Sequence, residues 1–403
     1  MRDSLLKEIN RINLEKEGAF YLFDIEKLYS WFDMLSDKLS EKLNGRASLV
    51  YAIKANPFLT AFMNKKVDSF EVCSPGEFEI CMKQEIPTEK IVFSGVYKSK
   101  ENIQRIFQCG FNGVVTLESE SHYFLLKEVM NENSIENVSI LPRLSSGNKF
   151  GMDEDTILSI IRDATDDGRF SIAGIQYFSG TQKKKIKVIH EELESIDAFC
   201  NRIKLETGIV IYNIEYGPGF FFDYYNLTDH MSVFEEVIDE IKTYIDKYTF
   251  ALESGRFIAA GCGYYVTKIV DLKTTFGKKY CLVDGGINHV NYYGRMLGMN
   301  APSVDHVCLS DDGKECEVSL SGIGDEYEVG GALCTVSDVL LKNYKMKDPK
   351  LGDLLVFHDA GAYSCTESSV LFLSRTLPRV YVLLEDGEPL MLRDSVESYE
   401  LNN

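Results

Sequence analysis

The chain has little of what marks membrane and secreted proteins. No segment of its 403 residues comes near the run of about 18 apolar residues that a membrane-spanning helix needs, so we expect no such helix. The first twenty residues are charged throughout and contain no apolar stretch, which predicts that a secretory signal is absent and that the protein is cytoplasmic. The ten cysteines include no C-x-x-C pair, so we expect reduced thiols and no metal site.

Basic residues are scarce relative to acidic ones. The 43 lysines and arginines stand against 62 aspartates and glutamates, which gives a formal net charge of −19. Because nucleic acids and anionic membranes are polyanions, this charge disfavours both as partners. A content of 45% hydrophobic and 26% charged residues is otherwise typical of a soluble globular protein.

The order of strand-like and helix-like segments predicts two architectures in one chain. Up to about residue 270, short apolar runs alternate with amphipathic stretches, which predicts a (β/α)₈ barrel of parallel strands. The eight strand candidates are ASLVYAIKA, SFEVCS, IVFSGV, GVVTLES, VSILPRL, IAGIQYFS, VIYNIEYG and TFALESGRF. Later runs joined by Gly and Asp turns predict an antiparallel β domain, with one helix beginning near CTVSDVLLKN. We therefore predict an N-terminal segment (1–24) that joins the β domain, a barrel (25–268) and the C-terminal β domain (269–403).

One lysine occupies an unusual position. In YAIKANP at 51–57, Lys54 ends an apolar strand, and the carboxyl ends of barrel strands are where such folds keep their active sites. Lysine is depleted in strands and costly to bury. The residues alone leave a functional lysine and a solvent-facing one equally open.

Glycine-bearing turns follow several strand candidates. They are Ser94-Gly95, Ser179-Gly180-Thr181, Gly217-Pro218-Gly219 and Glu253-Ser254-Gly255-Arg256. Glycine permits close backbone approach, and the exposed N–H groups of such turns can bind a phosphate. Each turn taken singly is weak evidence, because a glycine after a strand usually forms only an ordinary connection.

Taken together, these segments resemble the fold-III pyridoxal-phosphate (PLP) decarboxylases, the family of ornithine, arginine and diaminopimelate decarboxylases, which share their barrel with alanine racemase. The resemblance runs from FYLFD to the C-terminal strands. Its motifs are YAIKANP, EVCSPGE, FSGVYK, PRLSSGNKFGM, IQYFSGTQ, EYGPGF, ESGRF, VDGG, GALCTVSD and DAGAYS. It implies a PLP-dependent amino acid decarboxylase with an alanine racemase-like barrel.

The resemblance implies a role for each matching residue. Lys54 carries the cofactor as a Schiff base, and Glu253 keeps the pyridine nitrogen protonated. Alanine racemases place an arginine at that nitrogen, so Glu253 favours decarboxylation over racemisation. Cys334 resembles the general acid that protonates the product carbon. In the family this cysteine and the aspartate matched by Asp338 come from the second subunit, which implies a homodimer with shared active sites.

The remaining cofactor contacts are also implied by the resemblance. They are Arg143 near the ring hydroxyl, Phe178 on the ring face, Ser179 or Thr181 and Tyr363 as hydroxyl donors, and Gly217, Pro218, Gly219, Gly255 and Arg256 around the phosphate. Two of these depart from the family pattern. Pro218 replaces a glycine and removes one N–H donor, and Phe178 replaces a stacking histidine while keeping an aromatic face.

The substrate residues depart further. Thr335 stands where relatives place the Asp or Glu that recognises a distal ammonium, and Tyr292 stands near the place of an arginine in diaminopimelate decarboxylases. Arg295, one helical turn later, can substitute for that arginine. A buried ammonium needs a partner, so a free diamino acid is disfavoured as substrate. We hypothesise an amino acid tethered to a carrier protein, as in one branch of the family.

Two other functions stay open on the sequence. The first is a racemase or epimerase on the same scaffold, and the second is a PLP-binding regulatory homologue without activity. Glu253 argues against the racemase, and the retained Lys54 and Cys334 argue against the regulator. Among the histidines, His306 lies in a polar stretch and is predicted to be at the surface, while His289 is equally compatible with the site and with packing.

Overall fold

The computed structural model describes residues 2–310 and 312–403, which form two compact units. The barrel unit consists of Trp31–Phe222 and Asp229–Ile258. The β unit takes the chain up to Ser30, Asp223–Thr228 and Ala259–Asn403. No helix within the described ranges has the length and apolar character that crossing a membrane requires.

The regular elements follow one another in chain order. In the described part of the chain the α-helices are α1 (Asp3–Glu15), α2 (Ile25–Lys42), α3 (Thr60–Met63), α4 (Pro75–Lys83), α5 (Lys100–Gln108), α6 (Glu120–Asn133), α7 (Glu154–Asp167), α8 (Ile186–Thr207), α9 (His230–Lys242) and α10 (Arg256–Ala259). The strands are β1 (Phe20–Asp24), β2 (Ala47–Ala52), β3 (Ser69–Val72), β4 (Ile91–Phe93), β5 (Val114–Leu117), β6 (Val138–Leu144), β7 (Phe170–Ile172), β8 (Ile175–Phe178), β9 (Asn213–Gly217), β10 (Thr249–Ser254), β11 (Gly263–Thr275), β12 (Lys278–Val283), β13 (Val304–Leu309), β14 (Cys316–Val318), β15 (Asp325–Gly330), β16 (Val339–Met346), β17 (Leu354–Phe357), β18 (Arg379–Leu383) and β19 (Pro389–Arg393).

The barrel is a closed parallel sheet. Its strands run in the order β5-β4-β3-β2-β10-β9-β8-β6, and pairing of β6 with β5 closes the ring, while β7 lies outside against β6. Each of the eight predicted strand segments contains one of these eight strands. The predicted (β/α)₈ barrel is therefore confirmed.

Polar side chains begin the helices that follow the barrel strands. The residues Ser74, Ser99, Ser119 and Asp153 each accept a hydrogen bond from a backbone N–H three residues later, at the starts of α4, α5, α6 and α7. Such caps satisfy donors that have no partner inside the helix. They fix where each strand-to-helix turn ends, and so they fix the shape of the loops at the carboxyl edge of the barrel.

The β unit is built on a mostly antiparallel sheet. The N-terminal strand β1 pairs antiparallel with β11 and parallel with β18, so the first residues of the chain enter the sheet of the last ones. Helix α1 buries its apolar face against this sheet. The resulting core cluster comprises Leu5, Leu6, Ile9, Ile12, Phe20, Leu22, Tyr264, Val266, Val307, Leu354, Val356, Tyr381 and Leu383. The β domain predicted from the sequence is confirmed, whereas the proposed boundaries at residues 24 and 268 stay a prediction.

Two local predictions for the β unit are wrong. The helix expected near CTVSDVLLKN is strand β16, because antiparallel pairing with β15 gives its backbone groups partners that outweigh the helical preference of its leucines. His306 is buried rather than at the surface, since its place on β13 turns it inward, where its Nε2 lies 2.9 Å from Asp353 Oδ2. With Cys308, these two side chains form a group of possible metal ligands, and the absence of a metal site stays a prediction.

Candidate active site

Lys54 lies on the short 3₁₀ turn Ile53–Ala55 that directly follows β2. Its Nζ is 2.6 Å from Glu71 Oε2 on β3 and 3.1 Å from Glu253 Oε1 on β10. Because β2 lies between β3 and β10, the sheet order itself places one carboxylate on each side of the lysine. The Lys54 side chain is one-third exposed, while both carboxylates are buried, so the ammonium stands between the barrel interior and solvent.

The barrel interior holds more acidic than basic groups around this lysine. Burial and, after it, the neighbouring Glu71 carboxylate together raise the pKa of the Glu253 carboxyl to about 7. Burial, together with the charges of Glu253 and Glu71, likewise raises the pKa of Glu215 to about 8. Burial opposes the ionisation of Glu71, yet Lys54 and hydrogen bonds from its neighbours keep its pKa below the ordinary value. A further cation bound beside Glu253 would therefore be stabilised.

The loops after β8 and β9 pack closely against each other. A Cβ on Gly217 would lie 2.4 Å from Cδ2 of Phe178, and one on Gly219, at φ +63°, would lie 2.2 Å from the Gly180 carbonyl oxygen. Neither position accepts a side chain without a shift of its neighbours. A Cβ on Gly180, in contrast, would meet no described atom within 4 Å, so open space borders this turn. Pro218 lies between the two crowded glycines and contributes no N–H donor.

The polar residues of the β8 loop have different partners. Ser179 donates its hydroxyl hydrogen to the Glu192 carboxylate on α8. Thr181 is exposed, and its hydroxyl has no hydrogen bond within residues 2–310 and 312–403. Gln182 joins the two loops, because its amide accepts from Phe222 N at 2.7 Å and donates to Phe222 O at 2.9 Å.

The end of β10 approaches the lysine turn. A Cβ on Gly255 would lie 2.7 Å from the Cβ of Ala55 and 3.0 Å from the Ala52 carbonyl, so only glycine fits between the two segments. Arg256 begins α10 and is buried. The Glu253-Ser254-Gly255-Arg256 segment thereby places the Glu253 carboxylate beside Lys54 and the Gly255 backbone beside the turn that carries this lysine.

Arg143 extends from β6 into the barrel. Its NH1 donates to Glu118 Oε1 at 2.6 Å and its NH2 to the Phe178 carbonyl at 3.3 Å, while its guanidinium lies 4.7 Å from the centroid of the Phe150 ring. Glu118 also accepts from Gly151 N at 2.9 Å. The Arg143 Nε is buried, and no described residue accepts its hydrogen, so the site retains one unused donor.

The predicted catalytic cysteine lies in the β unit, on a protruding turn. Cys334 is exposed, and Val336, two residues later, is 99% exposed. The Thr335 Oγ1 lies 3.0 Å from Ser337 Oγ. Buried Asp338 closes the turn by accepting hydrogen bonds from the N–H groups of Ile287 and Leu333 at 2.9 and 2.8 Å. Asp338 thus fixes the turn from its buried side, while Cys334 and Val336 are exposed.

The other predicted residues of the β unit are engaged within it. Buried Tyr292 donates its hydroxyl to the His358 carbonyl at 2.7 Å, and Arg295 donates to the carbonyl of Val339. Tyr363 has a φ of +63°, a rare conformation for a non-glycine residue.

His289 contacts Tyr265 and the carbonyl of Thr376, and burial lowers its pKa to about 4. These contacts favour the packing role for His289 over a place at the site mouth.

Several polar residues of the barrel interior were not predicted. They are Glu71, Cys73, Lys98, Glu118, Gln176 and Glu215, and they face the interior from five strands and the loops that follow them. Burial lowers the pKa of the Lys98 ammonium to about 8. The signal that could have found Glu71 and Glu215 is an acidic residue inside an otherwise apolar strand, because a buried charge is rarely kept without a partner or a function.

The barrel residues fit PLP. Lys54 would supply an amine for its aldehyde and Glu253 a carboxylate for its ring nitrogen, and the turn at Gly180 borders open space. Arg143 retains its unused buried donor. Fold and site together define a (β/α)₈-barrel enzyme whose lysine stands at the carboxyl edge of the strands.

Comparison with known families identifies this enzyme class further. The model for "Pyridoxal-dependent decarboxylase, pyridoxal binding domain" matches residues 32–260, more than half of the chain. The chain belongs to the pyridoxal-dependent decarboxylase family. The prediction of a PLP-dependent amino acid decarboxylase is confirmed at this level.

Individual relatives extend the similarity to nearly the whole chain. The L-glutamyl-[BtrI acyl-carrier protein] decarboxylase of Niallia circulans is 26% identical, over 96% of this chain and 93% of that protein. The diaminopimelate decarboxylase of Methanocaldococcus jannaschii is 27% identical over 86% of this chain and 81% of that one. The crystal structure of diaminopimelate decarboxylase from Helicobacter pylori with L-lysine matches with a TM-score of 0.79 at 22% identity, covering 98% of both chains, and supports the fold.

Proposed function

We propose that the barrel residues have the roles in decarboxylation that the sequence predicts. When bound, PLP would supply an electron sink for the electron pair that stays on the substrate carbon when CO₂ departs. Lys54 provides the amine that holds the cofactor aldehyde, and Glu253 holds a proton on the ring nitrogen. The observation that carries this assignment is the 3.1 Å contact between Lys54 Nζ and Glu253 Oε1 inside a closed barrel. Glu71, at 2.6 Å from the same amine, keeps it oriented toward the barrel axis.

We propose that the loops after β8, β9 and β10 hold the cofactor phosphate. Gly217, Gly219 and Gly255 allow the backbone to come close, and Arg256 adds positive charge. The Thr181 hydroxyl, exposed and without a hydrogen bond in the described part of the chain, is the better donor on the β8 loop, because Ser179 already donates its only hydroxyl hydrogen. Phe178 at the end of β8 offers an aromatic face to the ring.

We propose that the chain acts as a homodimer in which Cys334 of one subunit serves the barrel of the other. The outward turn that carries exposed Cys334 and Val336 supports this, since both side chains are accessible to a second subunit. Mixing inactive Lys54→Ala protein with inactive Cys334→Ala protein, after dissociation and reassociation, should restore about a quarter of wild-type activity, because half of the dimers then carry one intact site. Failure to restore activity in verified mixed dimers would contradict the shared site.

We propose that the substrate is an amino acid tethered to a carrier protein rather than a free diamino acid. Thr335 offers a hydroxyl where a distal ammonium would need a carboxylate. Asp338, the one carboxylate among the predicted substrate residues, already accepts from two backbone N–H groups. The relative from Niallia circulans that aligns over 96% of this chain acts on a glutamyl carrier protein, which supports the same substrate class here.

The decisive experiment is a CO₂-release assay on paired substrates. Glutamate, ornithine and meso-diaminopimelate are each offered free and as the thioester of an acyl-carrier protein, with Lys54→Ala as the blank. We expect kcat/KM for at least one tethered substrate to exceed that of its free form by about 100-fold or more, because contacts outside the reacting group contribute to transition-state binding. Robust turnover of free ornithine or diaminopimelate would overturn the substrate assignment and leave the decarboxylase assignment intact. The cytoplasmic location expected from the sequence stays a prediction.

A further inference from the structure

A buried carboxylate connects the two loops that we assign to the cofactor phosphate. Glu192 lies on α8 and is 5% exposed. It accepts the hydroxyl hydrogen of Ser179 and, at 2.5 Å, that of Tyr216, the residue directly before Gly217. Its two oxygens also lie 2.9 and 2.8 Å from Lys183 Nζ. One side chain outside the loops thus holds the β8 loop at two positions and the end of β9 at a third.

The ion pair at the centre of this network is almost completely buried. The side chains of Lys183 and Glu192 are 9% and 6% exposed. Taking two charges out of water costs free energy that their attraction often fails to recover, and such pairs can be replaced by apolar residues without loss of stability. Net stability is therefore a poor reason for the pair, whereas a fixed geometry of the groups around it is a sufficient one.

The backbone at the same place is also tied. Lys183 N donates to the Gly219 carbonyl at 2.9 Å, which continues a parallel bridge between the two loops. Gly219 is the residue that has no room for a side chain against Gly180. A small displacement of the β8 loop would therefore change the positions of the N–H groups on both sides of the open space at Gly180. The anchor at Glu192 opposes that displacement.

We propose that Glu192 is a positioning residue for the cofactor phosphate, and that it acts through Ser179, Lys183 and Tyr216 rather than by contact. Ser179 is then an anchor of the loop and not a phosphate ligand, since its single hydroxyl hydrogen is already donated to Glu192. This inference rests on the proposed phosphate site, and the experiment below separates the two.

The test compares two ligands that differ only in the phosphate. Apo-protein is titrated with PLP and with pyridoxal, and binding is followed by visible absorbance and by tryptophan fluorescence. In Glu192→Gln we expect the PLP dissociation constant to rise about tenfold or more, which corresponds to losing a hydrogen bond to a charged group. The pyridoxal dissociation constant should stay within about twofold of wild type, because the change acts on the phosphate side alone. An equal weakening of both ligands, or of neither, would overturn the proposal.

The neighbouring residue offers a matched control. Glu191 lies on the same helix and pairs with Lys187 at 3.4 Å, but both side chains are exposed. Glu191→Gln removes the same charge one residue away and should leave both dissociation constants unchanged. If it weakens PLP as much as Glu192→Gln does, the effect is one of general charge and the positioning role is refuted.

A double variant tests the proposal if the single substitution of Glu192 prevents folding. If Glu192→Gln does not fold, Lys183→Met with Glu192→Leu removes both charges together and leaves no unpaired one. It should show the same selective loss of PLP binding, and an unchanged PLP affinity would overturn the proposal.

A second combination tests the role of Ser179. Adding Ser179→Ala to Glu192→Gln should weaken PLP binding no further than Glu192→Gln alone. Fully additive effects would make Ser179 an independent phosphate ligand and refute its role as an anchor.

Gly219→Ala separates the failure of this inference from the failure of the phosphate site. Its added Cβ would collide with the Gly180 carbonyl, so it should weaken PLP and spare pyridoxal. If Gly219→Ala weakens PLP selectively while Glu192→Gln does not, the phosphate site stands and the positioning role alone fails. If Gly219→Ala changes neither ligand, the phosphate site is wrong and the inference built on it fails too.

Discussion

The interiors of the two units contain opposite kinds of side chain. The core of the β unit is a cluster of leucine, isoleucine, valine and aromatic side chains, in which α1 packs on the sheet. The interior of the barrel instead buries Glu71, Glu215 and Glu253 around the partly exposed Lys54. Burying apolar side chains stabilises a fold by roughly 1.5–3 kcal/mol for each large residue, whereas burying charged groups costs free energy unless every one of them is paired. The β unit is therefore organised for stability and the barrel interior for chemistry.

The difference extends to where each unit keeps its reactive groups. In the barrel they lie inside the sheet, held by neighbouring strands. In the β unit the predicted catalytic Cys334 lies on an exposed turn, and Asp338 supports that turn through backbone hydrogen bonds. A change in the barrel interior should therefore alter both chemistry and titration behaviour. A change in the β unit should alter either stability or chemistry, depending on whether it falls in the core or on the turn.

The largest expected effect comes from the barrel lysine. Lys54→Ala removes the amine that holds the cofactor, so kcat/KM for CO₂ release should fall by at least roughly a thousand-fold, and the visible absorbance of the bound cofactor should disappear. The matched control is Lys100→Ala on α5, an ammonium that pairs with Glu128 and Glu132 outside the barrel. An unchanged absorbance spectrum in Lys54→Ala would remove the chemical distinction between the two units.

The second effect tests the turn of the β unit. Cys334→Ala should lower kcat by about 10²- to 10⁴-fold, as expected for the loss of a general acid, and should leave the cofactor absorbance and the unfolding midpoint unchanged because the thiol is exposed. Cys308→Ala, at a half-buried thiol of the same unit, is the control and should retain full activity. Full activity in Cys334→Ala would confine the chemistry to the barrel.

The sequence was sufficient for the architecture because both units obey local patterns. All eight barrel strands follow from short apolar runs, and the segment FYLFD forms the strand that pairs with β11 and β18. The helix expected near CTVSDVLLKN failed for a physical reason. Its leucines suit a helix, but its backbone groups are taken by antiparallel pairing with β15, the strand that directly precedes it in the chain.

The site was predictable only where a motif carried it. Lys54 and Glu253 are brought together as the resemblance implies, at 3.1 Å. Glu71 and Glu215 were missed, because an acidic residue in an apolar strand is only a candidate until the register shows that its side chain faces the interior. Glu192 was missed because it lies on a helix, and its partners Ser179 and Tyr216 lie on two other segments of the chain.

The third effect tests stability in the apolar core of the β unit. Leu354→Ala in the core cluster should lower the free energy of unfolding by about 2–5 kcal/mol, because it leaves a cavity that the neighbouring side chains only partly fill. Leu351, three residues earlier and 65% exposed, supplies the control, and its change to alanine should have little effect. Activity per folded molecule should be the same in both variants. A reduced kcat in Leu354→Ala at full folding would mean that this core also serves the chemistry.

The smallest effect concerns the charge excess of the barrel and depends on pH. The folded apo-protein raises the pKa of Glu215 to about 8 from an ordinary 4.5, through burial and the charges of Glu253 and Glu71. Folding therefore holds a proton that the unfolded chain releases, and stability is lost as the pH rises from about 4.5 to about 8. Glu215→Gln cannot ionise, so urea unfolding of the apo-variant should show a gain of roughly 1–3 kcal/mol over wild type near pH 8.5 and almost none near pH 5.

Glu191→Gln is the control for this titration, because its exposed carboxylate should leave the pH dependence of unfolding unchanged. If Glu215→Gln shows the wild-type pH dependence, the barrel interior must relieve its charge excess in another way. Lys54, the cation nearest to Glu71 and Glu253, would then be the group that compensates all three carboxylates in the apo-protein. In that case the barrel interior would still differ from the core of the β unit in its chemistry, but its buried carboxylates would not lower the free energy of unfolding.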